Sequence, residues 1–321
     1  MHPGHFFSSA SLVIVAGKGG VGKTVAAATI ATAASRAGLS VLLVEVSGRS
    51  AAAPMFGTES QGYEEAVVVH EAEVDGVRHG AISLKSVTPD QALVEWLATH
   101  GFNRLVSRMA SSGLLEVVAT ATPGIKDLLV LGRIKALEDE GTYDLIVVDA
   151  PAAGHAIGFL RSPQGVRDAA RTGVLHRQAV EVLELIGDPD RCQVTLVTIP
   201  EETPVNELIE TSFAIEDELG VRLSPVIVNG VLPDVDGLDA DLDGLDLDEA
   251  ELDALRTAAD FRAGRNALQA EQLARLGETL PLEQIRLPQL FGTSIGPDEI
   301  AHLATVLTEA IEALPDPEPV S

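Results

Sequence analysis

The chain has 321 residues, 46% of them hydrophobic, enough for one large α/β domain or two small ones. Its 22 basic and 48 acidic side chains leave a formal charge of −26, which disfavours non-specific attachment to DNA, RNA or anionic lipid; aromatic residues, at 3%, are too few to form base-stacking platforms. A single cysteine, Cys192, excludes an internal disulfide or a four-thiolate metal site within one chain, and suits a reducing, cytoplasmic compartment.

The first 17 residues, MHPGHFFSSASLVIVAG, lack a basic n-region and a long apolar core, so they read as the approach to a first strand and not as a signal peptide. SLVIVA (11–16) is a continuous apolar run, the pattern of a strand buried on both faces. Glycines follow, then an Ala-rich helix from Lys23 to Ala37 stopped by Gly38, and a second buried strand, SVLLVEV (40–46). AVVVH (66–70) and AISL (81–84) have the pattern of a hairpin joined through EVDGVRHG. Residues 89–140 read mostly as helix, broken around TPG (122–124). YDLIVVDA (143–150) is another buried strand, and 155–187 is again helical. TLVTI (195–199), a helix over 204–219 and PVIVN (225–229) continue the alternation. A long helix over 256–278, a strand ending at RLP (286–288) and a last helix over 297–314 complete it; the tail PDPEPVS reads as disordered.

Alternating strands and helices predict an α/β, doubly wound, mostly parallel sheet covered on both faces, in one domain spanning 1–321. The helical stretches 89–140 and 155–187 form a helical subdomain in this reading. No run of 18 uninterrupted apolar residues occurs, so direct membrane insertion is not expected. The acidic, low-complexity segment 232–253 reads as a mobile, solvated insertion. Asp239, Asp241, Asp243 and Gly244 match the opening of a calcium loop, but Ala250 stands where its twelfth-position Glu belongs.

Chemistry concentrates in AGKGGVGKTVAA, Ala16 to Ala27. Gly17-x-x-x-x-Gly22-Lys23-Thr24 fits the phosphate-binding P-loop in full, with a strand before it and a helix after. Backbone N–H groups of Gly17, Gly19, Gly20, Val21, Gly22 and Val25 are placed to face phosphates. Lys23 would reach the β- and γ-phosphates, and the Thr24 hydroxyl would bind Mg²⁺. Asp149 of VVDAP (147–151), where a buried strand ends, matches the acid that orders the Mg²⁺ water shell. ATP and Mg²⁺ are therefore the expected ligands, with Thr24 and, through water, Asp149 on the metal.

A rival reading uses the same glycines. Gly17, Gly19 and Gly22 also spell GxGxxG, and Glu45 lies 23 residues beyond Gly22, where a dinucleotide fold places its ribose-binding acid. That would make the chain an NAD-binding oxidoreductase. The Lys23–Thr24 pair has no role in that fingerprint, and Asp149 belongs to the triphosphate scheme.

Lys18 occupies a position that is unrestricted in the ordinary P-loop. The run KGGVGKT resembles the deviant Walker-A loop of the family that includes ParA, MinD, nitrogenase iron protein and the ArsA-type ATPases. The resemblance implies that Lys18 reaches across a dimer interface to the neighbour's nucleotide, a cation supplied in trans much like an arginine finger. Within that family, one cysteine does not suit a nitrogenase-type cluster, the acidic charge does not suit DNA partition, and PDPEPVS is no membrane-binding amphipathic helix.

The ArsA-type branch, which includes the arsenite-pump and tail-anchored-protein-targeting ATPases, is similar over nearly the whole chain. VVDAPAAGHAIGFL (147–160) looks like its second switch, with His155 beside Gly154, and TPGIKDLL (122–129) resembles its P-G-x-x-E segment. IVNG (227–230) makes Asn229 the candidate adenine reader; RLPQL (286–290) resembles the loop whose proline, here Pro288, packs on the base. One departure matters. Aligned without gaps, Ser47 stands where the family's first switch has the Asp that positions water, and Glu45 is the nearest carboxylate. Arg49 is a candidate phosphate contact beside it.

The resemblance implies a dimeric Mg²⁺-ATPase switch, paired with an identical chain or a related ATPase and coupled to an apolar client or a membrane protein. Lys18, Lys23, Glu45, Ser47 and Asp149 are its candidate catalytic residues. With Ser47 in place of Asp, the alternative is a nucleotide-binding subunit with weak hydrolysis. Tail-anchor clients bind a Met-rich groove, and this chain has three methionines. Its apolar helical runs, LLEVV (114–118) and LLVLG (128–132), are read as core ahead of client surface.

Overall fold

A computed structural model describes residues 1–46, 50–59, 65–99, 124–151, 153–240 and 247–316, excluding the side chains of 153–155. Its strands are β1 (Leu12–Gly17), β2 (Val41–Glu45), β3 (Ala66–Val69), β4 (Ala72–Val74), β5 (Val77–His79), β6 (Ile82–Ser86), β7 (Leu145–Asp149), β8 (Cys192–Thr198), β9 (Val226–Val231) and β10 (Gln284–Pro288). Eight of them form one sheet in the order β10-β9-β8-β1-β7-β2-β6-β3, parallel except for the edge pair β3–β6. The expected hairpin is thus an antiparallel pair whose second strand also joins β2, and β4 and β5 form a ribbon of their own within its connection.

The helices are α1 (Pro3–Phe7), α2 (Lys23–Arg36), α3 (Pro89–Thr99), α4 (Ile125–Asp139), α5 (Ala153–Ala169), α6 (Val174–Gly187), α7 (Glu202–Phe213), α8 (Glu249–Thr279) and α9 (Pro297–Ala313). Period-two alternation divides the strands between two cores. Leu12, Ile14, Val44, Val148 and Leu196 face one side, packed against α3 to α7. Val15, Leu43 and Val147 face the other, packed against α2 and α9. The helices of the proposed subdomain therefore share a core with the sheet. LLVLG is part of it: Leu128, Leu129, Val130 and Leu131 are all buried. LLEVV lies outside the described residues.

Some boundaries differ from expectation. The predicted helix over 155–187 is two helices parted near Gly173, whose φ is +102°. The acidic insertion ends sooner than its composition suggests: residues 249–253 already belong to α8. Asp248 caps that helix by accepting the Glu251 N–H, while the Glu251 carboxylate accepts the Asp248 N–H. This reciprocal cap satisfies N–H groups that the first turn leaves unpaired, which is why acidic residues start a helix here instead of a loop. Asp241, Asp243 and Gly244 of the calcium pattern lie outside the described residues. Among the described residues no helix is long and apolar enough to cross a membrane.

Candidate active site

The parallel sheet brings the carboxyl ends of β1, β2, β7 and β8 to one edge, and the Gly-rich loop leaves β1 there to enter α2. One of its glycines is required by space as well as conformation, and a second by conformation beside a side chain that a Cβ would displace. Gly17 has φ +155°, and a Cβ on it would sit 2.2 Å from the Val197 carbonyl oxygen. Gly22 has φ +89°, and its Cβ would sit 2.2 Å from Asn229 Nδ2.

Asn229 comes from β9 and donates to the Val21 carbonyl at 2.9 Å, which ties the loop to the strand expected to read the base. The same residue lines a cavity of about 480 Å³ with Val25, Met55, Gly230, Pro288 and Leu290. Val25, Asn229 and Pro288, far apart in sequence, thus share one pocket at the start of α2. Leu290 comes from the same RLPQL run as Pro288, whereas nothing in the sequence pointed to Met55. Met55 sits in a single 3-10 turn, Ala53–Phe56, between β2 and β3, a stretch with no motif.

Around the loop, the side chains of Lys18, Lys23 and Thr24 each have a definite partner. Lys23 Nζ donates to the Lys18 carbonyl oxygen at 3.2 Å, and burial lowers its pKa against the opposing charge of Asp149. The Thr24 hydroxyl donates to Asp149 Oδ2 at 2.5 Å. Burial pushes the Asp149 carboxyl up to about 6; the Thr24 hydrogen bond and Lys23 oppose the shift, and the charge of Glu45 adds to it. Asp149 Oδ1 is buried without a hydrogen-bond partner. A hydroxyl on a carboxylate, beside a buried carboxylate oxygen with nothing to bind, is a donor set that suits a hydrated hard cation. Lys18 Nζ lies 2.5 Å from Glu207 Oε1 on α7. Sequence reasoning had no signal for Glu207, which is 189 residues away.

Glu45 is 1% exposed; its Oε1 accepts the Ala51 and Ala52 N–H groups at 2.7 and 2.9 Å. Ser47 and Arg49 lie outside the described residues, as does the His155 side chain, although residue 155 falls within α5.

Known proteins bear on this arrangement directly. Residues 10–174 match the family described as anion-transporting ATPase, a span that runs from the approach to β1 through the loop, Asp149 and α5.

The chain belongs to the anion-transporting ATPase family.

It is similar to ATPase BagA of Mycobacterium tuberculosis, with 34% identity over 235 residues, covering 70% of this chain and 66% of that protein. It is also similar to ATPase get3 of Neurospora crassa (27% over 209 residues, 62% of this chain and 55% of that one). A third relative is ATPase GET3B of Arabidopsis thaliana (22% over 263 residues, 68% and 64%). The chain therefore spans about two thirds of the length of the first of these relatives and somewhat less of the others. This family is the ArsA-type branch to which the KGGVGKT and VVDAPAAGH runs pointed.

Proposed function

We propose that this family member binds ATP with Mg²⁺ and hydrolyses it as a dimeric switch, pairing with an identical chain or a related ATPase. The observation that carries the reading is the contact of Thr24 with Asp149. In an open parallel sheet these residues meet only if the loop-to-helix turn and the end of β7 are adjacent, and β1 and β7 are indeed paired with Val15 beside Asp149.

Bound Mg²⁺ would neutralise phosphate charge, and Thr24 with Asp149 are the residues that would hold its hydrated form. The loop N–H groups would cradle the phosphates, with Lys23 exchanging the Lys18 carbonyl for phosphate oxygens. The cavity of Val25, Asn229 and Pro288 would take the adenine. Lys18 sits at the outer turn of the loop, partly exposed, as a cation meant for a neighbouring subunit would. Hydrolysis would then change how the helices on the sheet present themselves to a client or membrane partner.

A second reading, a nucleotide-binding subunit with weak hydrolysis, rests on Ser47 in place of the expected Asp. The NAD reading is the weaker one, because the contact of Thr24 with Asp149 belongs to the triphosphate scheme and has no role in the dinucleotide fingerprint.

The test is thermal stabilisation by ATP–Mg²⁺, ADP–Mg²⁺ and NADH, with phosphate release by wild type and Lys23→Ala measured in parallel. Stabilisation by both adenine nucleotides and phosphate release lost in Lys23→Ala are expected. Stabilisation by ATP–Mg²⁺ without phosphate release favours the weak-hydrolysis subunit, and stabilisation by NADH alone would sink both.

A further inference from the structure

We infer that Glu45 is the second carboxylate of the Mg²⁺ seat, sharing the metal's water shell with Asp149 through Oε2 while Oε1 ties the first switch segment to that seat. The inference rests on the ATPase reading above and adds a residue to it.

Three observations support it. First, β2 and β7 pair in parallel with Glu45 in register with Asp149, the last residue of each strand. Paired residues of parallel strands point to the same face. Two residues earlier, Leu43 and Val147 both enter the core beneath α2, so Glu45 and Asp149 extend that face to where α2 offers Thr24. Second, Glu45 Oε2 and Asp149 Oδ1 are both buried and neither has a hydrogen-bond partner. Two carboxylates side by side, each with an unpaired oxygen in a site shielded from water, repel each other unless a cation lies between them. Third, the other oxygen of Glu45 accepts two N–H groups from Ala51 and Ala52. That engagement fixes the orientation of the carboxylate, leaving Oε2 aimed away from the Ala51 and Ala52 backbone, as a positioned metal-shell ligand requires. It also joins the chain just beyond Ser47 to the Mg²⁺ seat through one side chain.

Glu45→Gln separates the two halves of this role, because the amide keeps an oxygen for the Ala51 and Ala52 N–H groups but carries no charge. Mn²⁺ is titrated into protein saturated with ADP and followed by calorimetry or electron paramagnetic resonance, so no turnover is needed. The expected result is about ten-fold weaker metal affinity in Glu45→Gln, the size typical of losing a residue that orders a metal's surroundings. ADP affinity in EDTA should be unchanged, and the melting temperature in EDTA should not fall, since one of two repelling charges is gone. Glu45→Asp is the second variant. It keeps the charge but shortens the reach, so it should hold Mn²⁺ better than Glu45→Gln and melt earlier.

A folded Glu45→Gln that binds Mn²⁺ as wild type does overturns the inference, as does a Glu45→Asp that binds Mn²⁺ no better than Glu45→Gln. If wild type itself takes up no ADP, or ADP without any added metal binding, the ATPase reading falls and this one with it. A normal wild type beside an indifferent Glu45→Gln removes this inference alone.

Discussion

Lys18 Nζ and Glu207 Oε1 lie 2.5 Å apart within one chain, so the loop lysine expected to serve a neighbouring subunit is paired at home. Both side chains keep a third or more of their surface exposed, at 34% and 40%, which limits such a pair to roughly 1 kcal/mol or less. A contact that weak is easily exchanged for a phosphate. Glu207→Gln should therefore tighten ATP-dependent self-association by about two- to five-fold, since less of the population must first release Lys18. Lys18→Ala should abolish it. Sedimentation with ATP–Mg²⁺ and with ADP–Mg²⁺ measures both; association weakened by Glu207→Gln would mean that the carboxylate belongs to the assembled site.

Gly22→Ala should perturb the loop more than Gly20→Ala, because it also displaces the Asn229 amide from its bond to Val21. Both glycines have positive φ, at +89° and +88°, which costs an alanine roughly 1 kcal/mol or more. Only Gly22 also meets a neighbour, Asn229 Nδ2 at 2.2 Å from its would-be Cβ, whereas nothing lies within 4 Å at Gly20. The larger loss of melting temperature is expected in Gly22→Ala.

Asn229→Ala removes the 2.9 Å bond to Val21 and one wall of the cavity. Stability should drop by about 1 kcal/mol, the usual net worth of one hydrogen bond. If the cavity takes adenine, discrimination between ATP and GTP in a competition assay should also narrow; unchanged discrimination would place base recognition elsewhere.

Cys192 is fully buried, and burial pushes its thiol from 9.0 up to about 12. The native protein should resist thiol reagents at pH 8 and react only on unfolding. Because the folded thiol holds its proton more tightly than the unfolded one, its contribution to stability is complete below pH 9.0. It declines as pH rises toward about 12, so a denaturant midpoint series across that window should fall less steeply in Cys192→Ala.

Leu131→Ala tests whether LLVLG is core. The side chain is 1% exposed among sheet-facing residues, so truncation should cost about 2–5 kcal/mol. A cost under about 1 kcal/mol would indicate a surface able to open, as a client groove must.

The strands and most helices were legible because each obeys a local rule. Continuous apolar runs such as LVIVA and LIVVD signal strands covered on both faces, and both are buried in the sheet's interior. The start of α8 was misread because an acidic composition looks like solvated loop until the reciprocal Asp248–Glu251 cap is seen. The break near Gly173 was missed for a related reason, since one glycine inside a helical pattern is tolerated as often as it ends a helix.

By itself the sequence determined the loop, its glycines, the Lys23–Thr24 pair and the acid that closes β7, since these depend on residue type at fixed short spacing. Only the tertiary structure decided that Lys18 pairs with Glu207, that Asn229 and Pro288 line one cavity, and that Glu45 stands beside Asp149 with an unpaired oxygen. The physical reason is the parallel crossover. It sets strands distant in sequence side by side and turns their carboxyl ends to one edge, so the neighbours of a site residue follow from strand order, which no local pattern encodes.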